Sequence, residues 1–119
     1  LRSLGIRMIS GAQRKFVFQM TEEEKAEARR RNEAILDEAL ILEDDMLVLD
    51  EAMDACRLGL LDRNRVLALL REKPQGMELV ITGHEPDQDF LDAADYITET
   101  VCHKHPYQEG VCARKGIEY

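Results

Sequence analysis

The sequence predicts an α/β domain: a mostly parallel sheet with flanking helices. Three observations carry this expectation. Two short, continuous apolar runs, Met46-Leu47-Val48-Leu49 and Leu79-Val80-Ile81-Thr82, have the pattern of strands covered on both faces. Segments with helical spacing and helix-start signals lie around and between them. Each run stops abruptly, at Asp50-Glu51 and at Gly83. Apolar strands separated by helices imply right-handed crossovers and therefore parallel pairing.

From the amino end, Leu4 to Ile9 alternates loosely and is rich in branched residues, which predicts a short strand closed by Ser10-Gly11. Met20-Thr21-Glu22-Glu23-Glu24 is a helix start. Thr21 can cap the free amides, Glu24 can reach back, and three acids sit at the positive end of the macrodipole. The helix runs from Glu22 to about Leu42. Its first half is nearly all charge, with Glu27 and Arg31 four apart, and its second half carries Ile35, Ala39 and Leu42, so only the second half is expected to pack on a core. Asp44-Asp45 ends it, and the first apolar strand follows.

Ala52 to Leu58 is expected to be helical, with Gly59 available for the left-handed position after the helix. Asp62 can cap a further helix bearing Val66, Leu69 and Leu70, which Lys73-Pro74 stops. After the second apolar strand, Pro86 suits the first turn of a helix with Phe90, Leu91 and Ala94, and Tyr96-Ile97-Thr98 reads as a third strand. From Cys102 onward the chain is polar and punctuated by Pro106, Gly110 and Gly116, the composition of an ordered loop or tail crossing the carboxyl edge of the sheet.

A chain of 119 residues is a single domain's worth of polypeptide. With 16 Lys and Arg against 24 Asp and Glu its formal charge is −8, the wrong sign for a partner bound by neutralising phosphates, so nucleic acid is disfavoured. The composition, 45% apolar and 34% charged, is that of a folded domain. No apolar run approaches the roughly 18 residues of a membrane span, and the start has no apolar stretch followed by a cleavage site, so the expected location is cytoplasmic. Cys56, Cys102 and Cys112, odd in number and without CxxC spacing, suit reduced thiols. The chain opens at Leu1 rather than a methionine, from which upstream residues are expected to be missing.

Ligands of open α/β sheets bind where strand ends meet loops and helix amino termini. Asp50-Glu51 occupies such an end. Four apolar residues followed by two acids is the Walker B arrangement, in which a rigid strand fixes carboxylates that hold Mg²⁺ beside nucleotide phosphates. The competing reading is an acid that merely caps the next helix. The partner motif, GxxxxGK[ST], is absent from the 119 residues, so a nucleotide site built from them alone would be incomplete. Cys102, His103, His105 and Cys112 are zinc-type ligands, but neighbours on an extended segment point to opposite faces, and a polar loop with reduced thiols is the simpler reading. Phe16 and Phe18 share one side if Lys15 to Gln19 is extended. Buried core is the default explanation for such a pair, and a ligand platform the alternative.

Taken in order, Val48-Leu49-Asp50-Glu51, Gly59-Leu60-Leu61-Asp62, Val80-Ile81-Thr82-Gly83, Ala93-Ala94-Asp95-Tyr96-Ile97-Thr98-Glu99, Lys104-His105-Pro106-Tyr107 and Lys115-Gly116-Ile117-Glu118-Tyr119 closely resemble the P-loop type of ATP:corrinoid adenosyltransferase, the cob(I)alamin adenosyltransferases. Phe16-Val17-Phe18 is similar to that family's aromatic segment before its long helix, so the resemblance spans Phe16 to Tyr119. It implies a P-loop NTPase (RecA-like) fold without its first strand and phosphate loop, residues 1–119 forming the C-terminal part of such a domain. The implied reaction moves the 5′-deoxyadenosyl group of ATP onto the cobalt of a reduced corrinoid and releases triphosphate.

By this resemblance Asp50 and Glu51 are the catalytic and Mg²⁺-holding acids. Phe16 and Phe18 are corrinoid-facing aromatics that displace the lower axial ligand, since an apolar face offers cobalt no donor atom. His84, Lys104 and His105 fall at cofactor-binding positions. A reductase supplying electrons and a homodimer are further implied partners. The acidic pair is expected to face a cleft shared with Phe16 and Phe18.

There are departures from the family pattern. Phe18 stands where relatives commonly have tryptophan, and Ala52-Met53 replaces more polar residues. His84 stands where the family has arginine, exchanging a permanent cation for an imidazole and putting any phosphate contact there in doubt. Cys102-His103 is foreign to the pattern. The missing front has two explanations: a truncated enzyme, or a shortened relative that binds a corrinoid, or another partner, without nucleotide chemistry.

Overall fold

A computed structural model of the chain describes residues 2–11, 15–42 and 44–116. Its regular elements run α1 (Glu22–Ile41), β1 (Met46–Leu49), α2 (Ala52–Arg57), α3 (Arg63–Glu72), β2 (Glu78–Ile81) and α4 (Gln88–Ala93), with short 3-10 turns at Arg2–Leu4, Val17–Gln19 and Pro106–Glu109. The class is α/β. Strands β1 and β2 pair in parallel, in the register Met46 to Glu78 through Leu49 to Ile81, and the connection between them carries two helices.

Local chemistry sets the boundaries. Thr21 and Glu24 form a reciprocal capping box, the Thr21 hydroxyl accepting from the Glu24 amide at 3.2 Å and the Glu24 carboxylate from the Thr21 amide at 2.9 Å. On α1, Glu27 pairs with Arg30, one residue short of the expected Arg31, and Lys25 pairs with Glu22. Asp62 caps α3 by accepting from the amides of Asn64 and Arg65. Gly59, at φ 72°, follows α2 in the left-handed region, as expected.

A single core lies on one face of the sheet. Leu36 of α1, Ala52 and Met53 of α2, Leu61, Val66 and Leu67 at and within α3, and Phe90 of α4 form it, with Leu40, Leu49 and Ile81 packed against it. Ala28, in the charged half of α1, is also buried, so packing is not confined to the second half. Polar links add to this interface: Asn32 donates to the Leu60 carbonyl at 3.0 Å, and Glu33 accepts from the Asp62 amide at 2.6 Å and from Arg65 at 2.7 Å.

Four expectations are corrected. The apolar runs are strands, but each is covered on one face only. Met46 and Val48 remain 56% and 53% exposed and Val80 is exposed too, because helices α1 to α4 deliver their buried core residues to the opposite face. Leu4 to Ile9 forms no strand; a 3-10 turn ends at Leu4, and the residues after it have no ladder partner among the described residues, although Arg7 reaches Asp44 at 3.4 Å. Tyr96-Ile97-Thr98 is likewise unpaired and exposed, since branched and aromatic residues make a strand only beside another strand. Pro86 lies just outside α4 rather than in its first turn: Asp87 takes the cap by accepting from the Asp89 amide at 3.2 Å, and Arg63 holds the same carboxylate at 2.5 and 2.9 Å.

Residues 95–116 are exposed throughout. The radius of gyration, 15.9 Å, exceeds the about 13.5 Å of a compact chain of this length, in keeping with exposed segments at both ends. No helix among the described residues is long and apolar enough to cross a membrane.

Candidate functional site

The carboxyl ends of β1 and β2 lie side by side, because parallel pairing puts both strand ends on the same edge. Continuing the register one step past Leu49 and Ile81 brings Thr82 opposite Asp50. There the Thr82 hydroxyl donates to Asp50 Oδ1 at 2.7 Å and accepts the Glu51 amide at 2.9 Å. Glu51 stands at φ 55°, ψ 23°, a left-handed conformation uncommon for a residue with a Cβ, and it occupies the cap position of α2 without capping through its side chain. The simple capping account of this acidic pair therefore does not describe its contacts.

Both carboxylates are exposed. Among the described residues no cation or N–H group contacts Asp50 Oδ2 or the Glu51 carboxylate. Hard carboxylate oxygens without a protein cation suit Mg²⁺, so the donor set fits that ion.

The next turn extends this edge. Gly83, at φ 143°, passes so close to α2 that a Cβ there would lie 2.7 Å from Met53 Cβ and 2.9 Å from Asp54 Oδ2. The close approach lets Asp54 accept the His84 amide at 2.9 Å and meet His84 Nδ1 at 3.0 Å, while Arg57 donates to its other oxygen at 2.9 Å. The Arg57 guanidinium first, then the His84 ring and amide, hold the Asp54 carboxyl down at about 2. His84 thus sits one turn from the acidic pair, on an exposed ring. No local motif marks Asp54 or Thr82 as functional in the sequence; the register of the two apolar runs is the signal that pairs Thr82 with Asp50.

The other candidates lie apart. Phe16 and Phe18 stack with centroids 5.5 Å apart and planes 9° from parallel, and they are 69% and 82% exposed. The buried-core reading of this pair is overturned. Their proximity stands, but it comes from the 3-10 turn at Val17–Gln19 and not from an extended segment. Lys104 pairs with Glu109 at 3.0 Å, and His105 Nδ1 accepts the Tyr107 amide at 3.1 Å, starting the turn Pro106–Glu109. Among the described residues, no hydrogen bond, ion pair or ring contact joins the acidic edge, the phenylalanine pair and the Lys104-His105 loop. A shallow depression lined by Gly5, Ile6, Arg7 and Met8 takes in none of the three.

Cys102 and Cys112 are exposed free thiols, His103 is exposed too, and no three potential metal ligands cluster among the described residues. Cys56 is half-buried, and burial first, then the negative charges of Asp62 and Glu33, push its thiol up to about 11. Ile117, Glu118 and Tyr119, the end of the last resembling block, lie outside the described residues.

Comparison with known proteins bears on the whole chain. A family model described as ATP:corrinoid adenosyltransferase BtuR/CobO/CobP matches residues 2–119. The chain is 36% identical over 74 residues to a corrinoid adenosyltransferase of Pseudomonas aeruginosa, an alignment covering 62% of this chain and 36% of that protein. It is 36% identical over 75 residues to corrinoid adenosyltransferase CobA of Salmonella typhimurium and 35% identical over 75 residues to a corrinoid adenosyltransferase of Escherichia coli, each alignment covering 63% of this chain and 38% of the relative. The chain therefore spans under two fifths of the length of these relatives. With the family match running from the first described residue to the last residue of the sequence, the chain belongs to the ATP:corrinoid adenosyltransferase family.

Proposed function

We propose that this chain is the C-terminal part of an enzyme that transfers the 5′-deoxyadenosyl group of ATP to the cobalt of a reduced corrinoid and releases triphosphate. The observation that carries the reading is the edge where Asp50, Glu51 and Thr82 meet at the ends of two parallel strands, on a chain whose family match is nearly complete. Strand ends of this kind are where α/β sheets bind nucleotides. Asp50 and Glu51 are the residues that would hold Mg²⁺, which supplies charge neutralisation for the triphosphate leaving group. His84, on the adjoining turn, and Lys104 and His105 offer nitrogen groups to the phosphates. The stacked, exposed Phe16 and Phe18 present an apolar face that suits a flat macrocycle and donates nothing to its cobalt.

The fold implied is the P-loop type. Its support is the parallel pair with one face uncovered: Met46, Val48 and Val80 leave apolar surface exposed there, the side on which a P-loop sheet would be completed. In that assembly the nucleotide edge and the aromatic pair lie on one completed domain. A reductase, a paired subunit and a cytoplasmic location belong to this same reading.

The test is conversion of ATP and chemically reduced cobalamin to adenosylcobalamin by the complete protein, followed spectroscopically. Glu51→Gln should lower Mg²⁺-dependent turnover about tenfold or more while leaving the thermal midpoint nearly unchanged. Equal loss of turnover and stability would make Glu51 a structural acid. Corrinoid binding without turnover in the unsubstituted protein would favour the second reading, a non-catalytic corrinoid-binding module.

A further inference from the structure

The geometry points to Thr82 as the positioning residue of the acidic pair, a role that rests on reading Asp50 and Glu51 as metal-holding acids. Every polar group of Thr82 is engaged with the β1–α2 turn. Its amide donates to the Leu49 carbonyl at 3.1 Å and its carbonyl accepts the Met53 amide at 3.2 Å. Its hydroxyl accepts from the Glu51 amide and donates to Asp50 Oδ1. One residue thus grips Leu49, Asp50, Glu51 and Met53 in succession.

The two side-chain bonds do different work from the two backbone bonds. The backbone pair extends the sheet and ties the turn to α2, and any residue except proline can make it at this position. The hydroxyl pair acts on the acids themselves. By taking up Oδ1 it selects one orientation of the Asp50 carboxylate and leaves Oδ2 available. By accepting the Glu51 amide it satisfies that group in the left-handed conformation, where the Cβ disfavours the backbone, and so holds the Glu51 side chain on the same edge. Loss of a group that orients metal ligands in this way typically costs about 10- to 100-fold in metal affinity.

Thr82→Val removes the hydroxyl, keeps the branched shape and preserves both backbone bonds, whereas Thr82→Ser keeps the hydroxyl. In the full chain, the Val variant should retain its far-ultraviolet circular dichroism, its Glu51 amide should exchange with solvent about tenfold faster, and its Mn²⁺ affinity, read by electron paramagnetic resonance, should fall about tenfold or more. The Ser variant should recover both values. Unchanged Glu51 exchange or unchanged Mn²⁺ affinity in the Val variant overturns the assignment, as does equal impairment of the Val and Ser variants. A different result marks failure of the underlying reading: the unsubstituted chain would bind no Mn²⁺, or a chain carrying both Asp50→Asn and Glu51→Gln would bind it as tightly as the unsubstituted chain. The metal-positioning role then falls with it, while the exchange measurement still reports whether the hydroxyl holds the turn.

Discussion

Asp54 and His84 meet through one carboxylate oxygen. Oδ2 of Asp54 accepts the backbone N–H of His84 at 2.9 Å and lies 3.0 Å from the Nδ1 of the same residue. Because Asp54 is on α2 and His84 follows β2, this contact fastens the turn after the second strand to the helix after the first. It requires the close approach that Gly83 permits.

Acid should loosen this fastening. The Asp54 carboxyl is held at about 2, below the roughly 3.9 of a free aspartate, mainly by Arg57 and then by His84. A depressed carboxyl stabilises the fold fully above the unfolded value and loses that contribution as pH falls toward the folded value. The contribution is therefore present at pH 5 and above and lost between about pH 4 and pH 2. Asp54→Asn is expected to lower stability at pH 7 by about 1 kcal/mol and to flatten the fall in urea midpoint across that acid range. An unchanged acid profile would assign the transition to other carboxylates.

Two glycines with positive φ should respond differently to alanine. At Gly83 the added Cβ meets Met53 and Asp54 at under 3 Å, with backbone and side chain fixed by the helix. At Gly59 the same atom meets nothing within 4 Å, and only the left-handed backbone is penalised. Gly59→Ala is expected to cost about 1 kcal/mol and Gly83→Ala about 2 kcal/mol or more, read from denaturant unfolding. Similar losses at both sites would show that the turn after β2 yields to the added methyl.

Phe18 is exposed and, among the described residues, stacked only on Phe16, so Phe18→Ala should change stability by no more than about 0.5 kcal/mol. Any loss of activity is then readable as function. Under the proposed reaction the variant slows adenosylation that starts from Co(II) with a weak reductant and spares adenosylation from chemically prepared Co(I). A parallel fall in both rates would remove the axial-ligand role from this ring.

Local signals in the chain decided what local physics controls. The capping box at Thr21, the cap at Asp62, the stop at Lys73-Pro74 and the left-handed Gly59 are short-range contacts written in consecutive residues, and they appear where the sequence puts them. Apolar runs of the right length became β1 and β2 in parallel, and ordered blocks from Val48 to Tyr119 carried the family. Tertiary structure decided the rest. Whether a strand is covered on one face or two depends on where helices α1 to α4 send their side chains. Whether Tyr96-Ile97-Thr98 pairs depends on a neighbour it lacks among the described residues. The hydroxyl of Thr82 reaches Asp50 across 32 residues of sequence, and the carboxylate of Asp54 reaches His84 across 30. Such links follow from register and from a close backbone approach at Gly83, quantities set by the packed chain as a whole and by no single stretch of it.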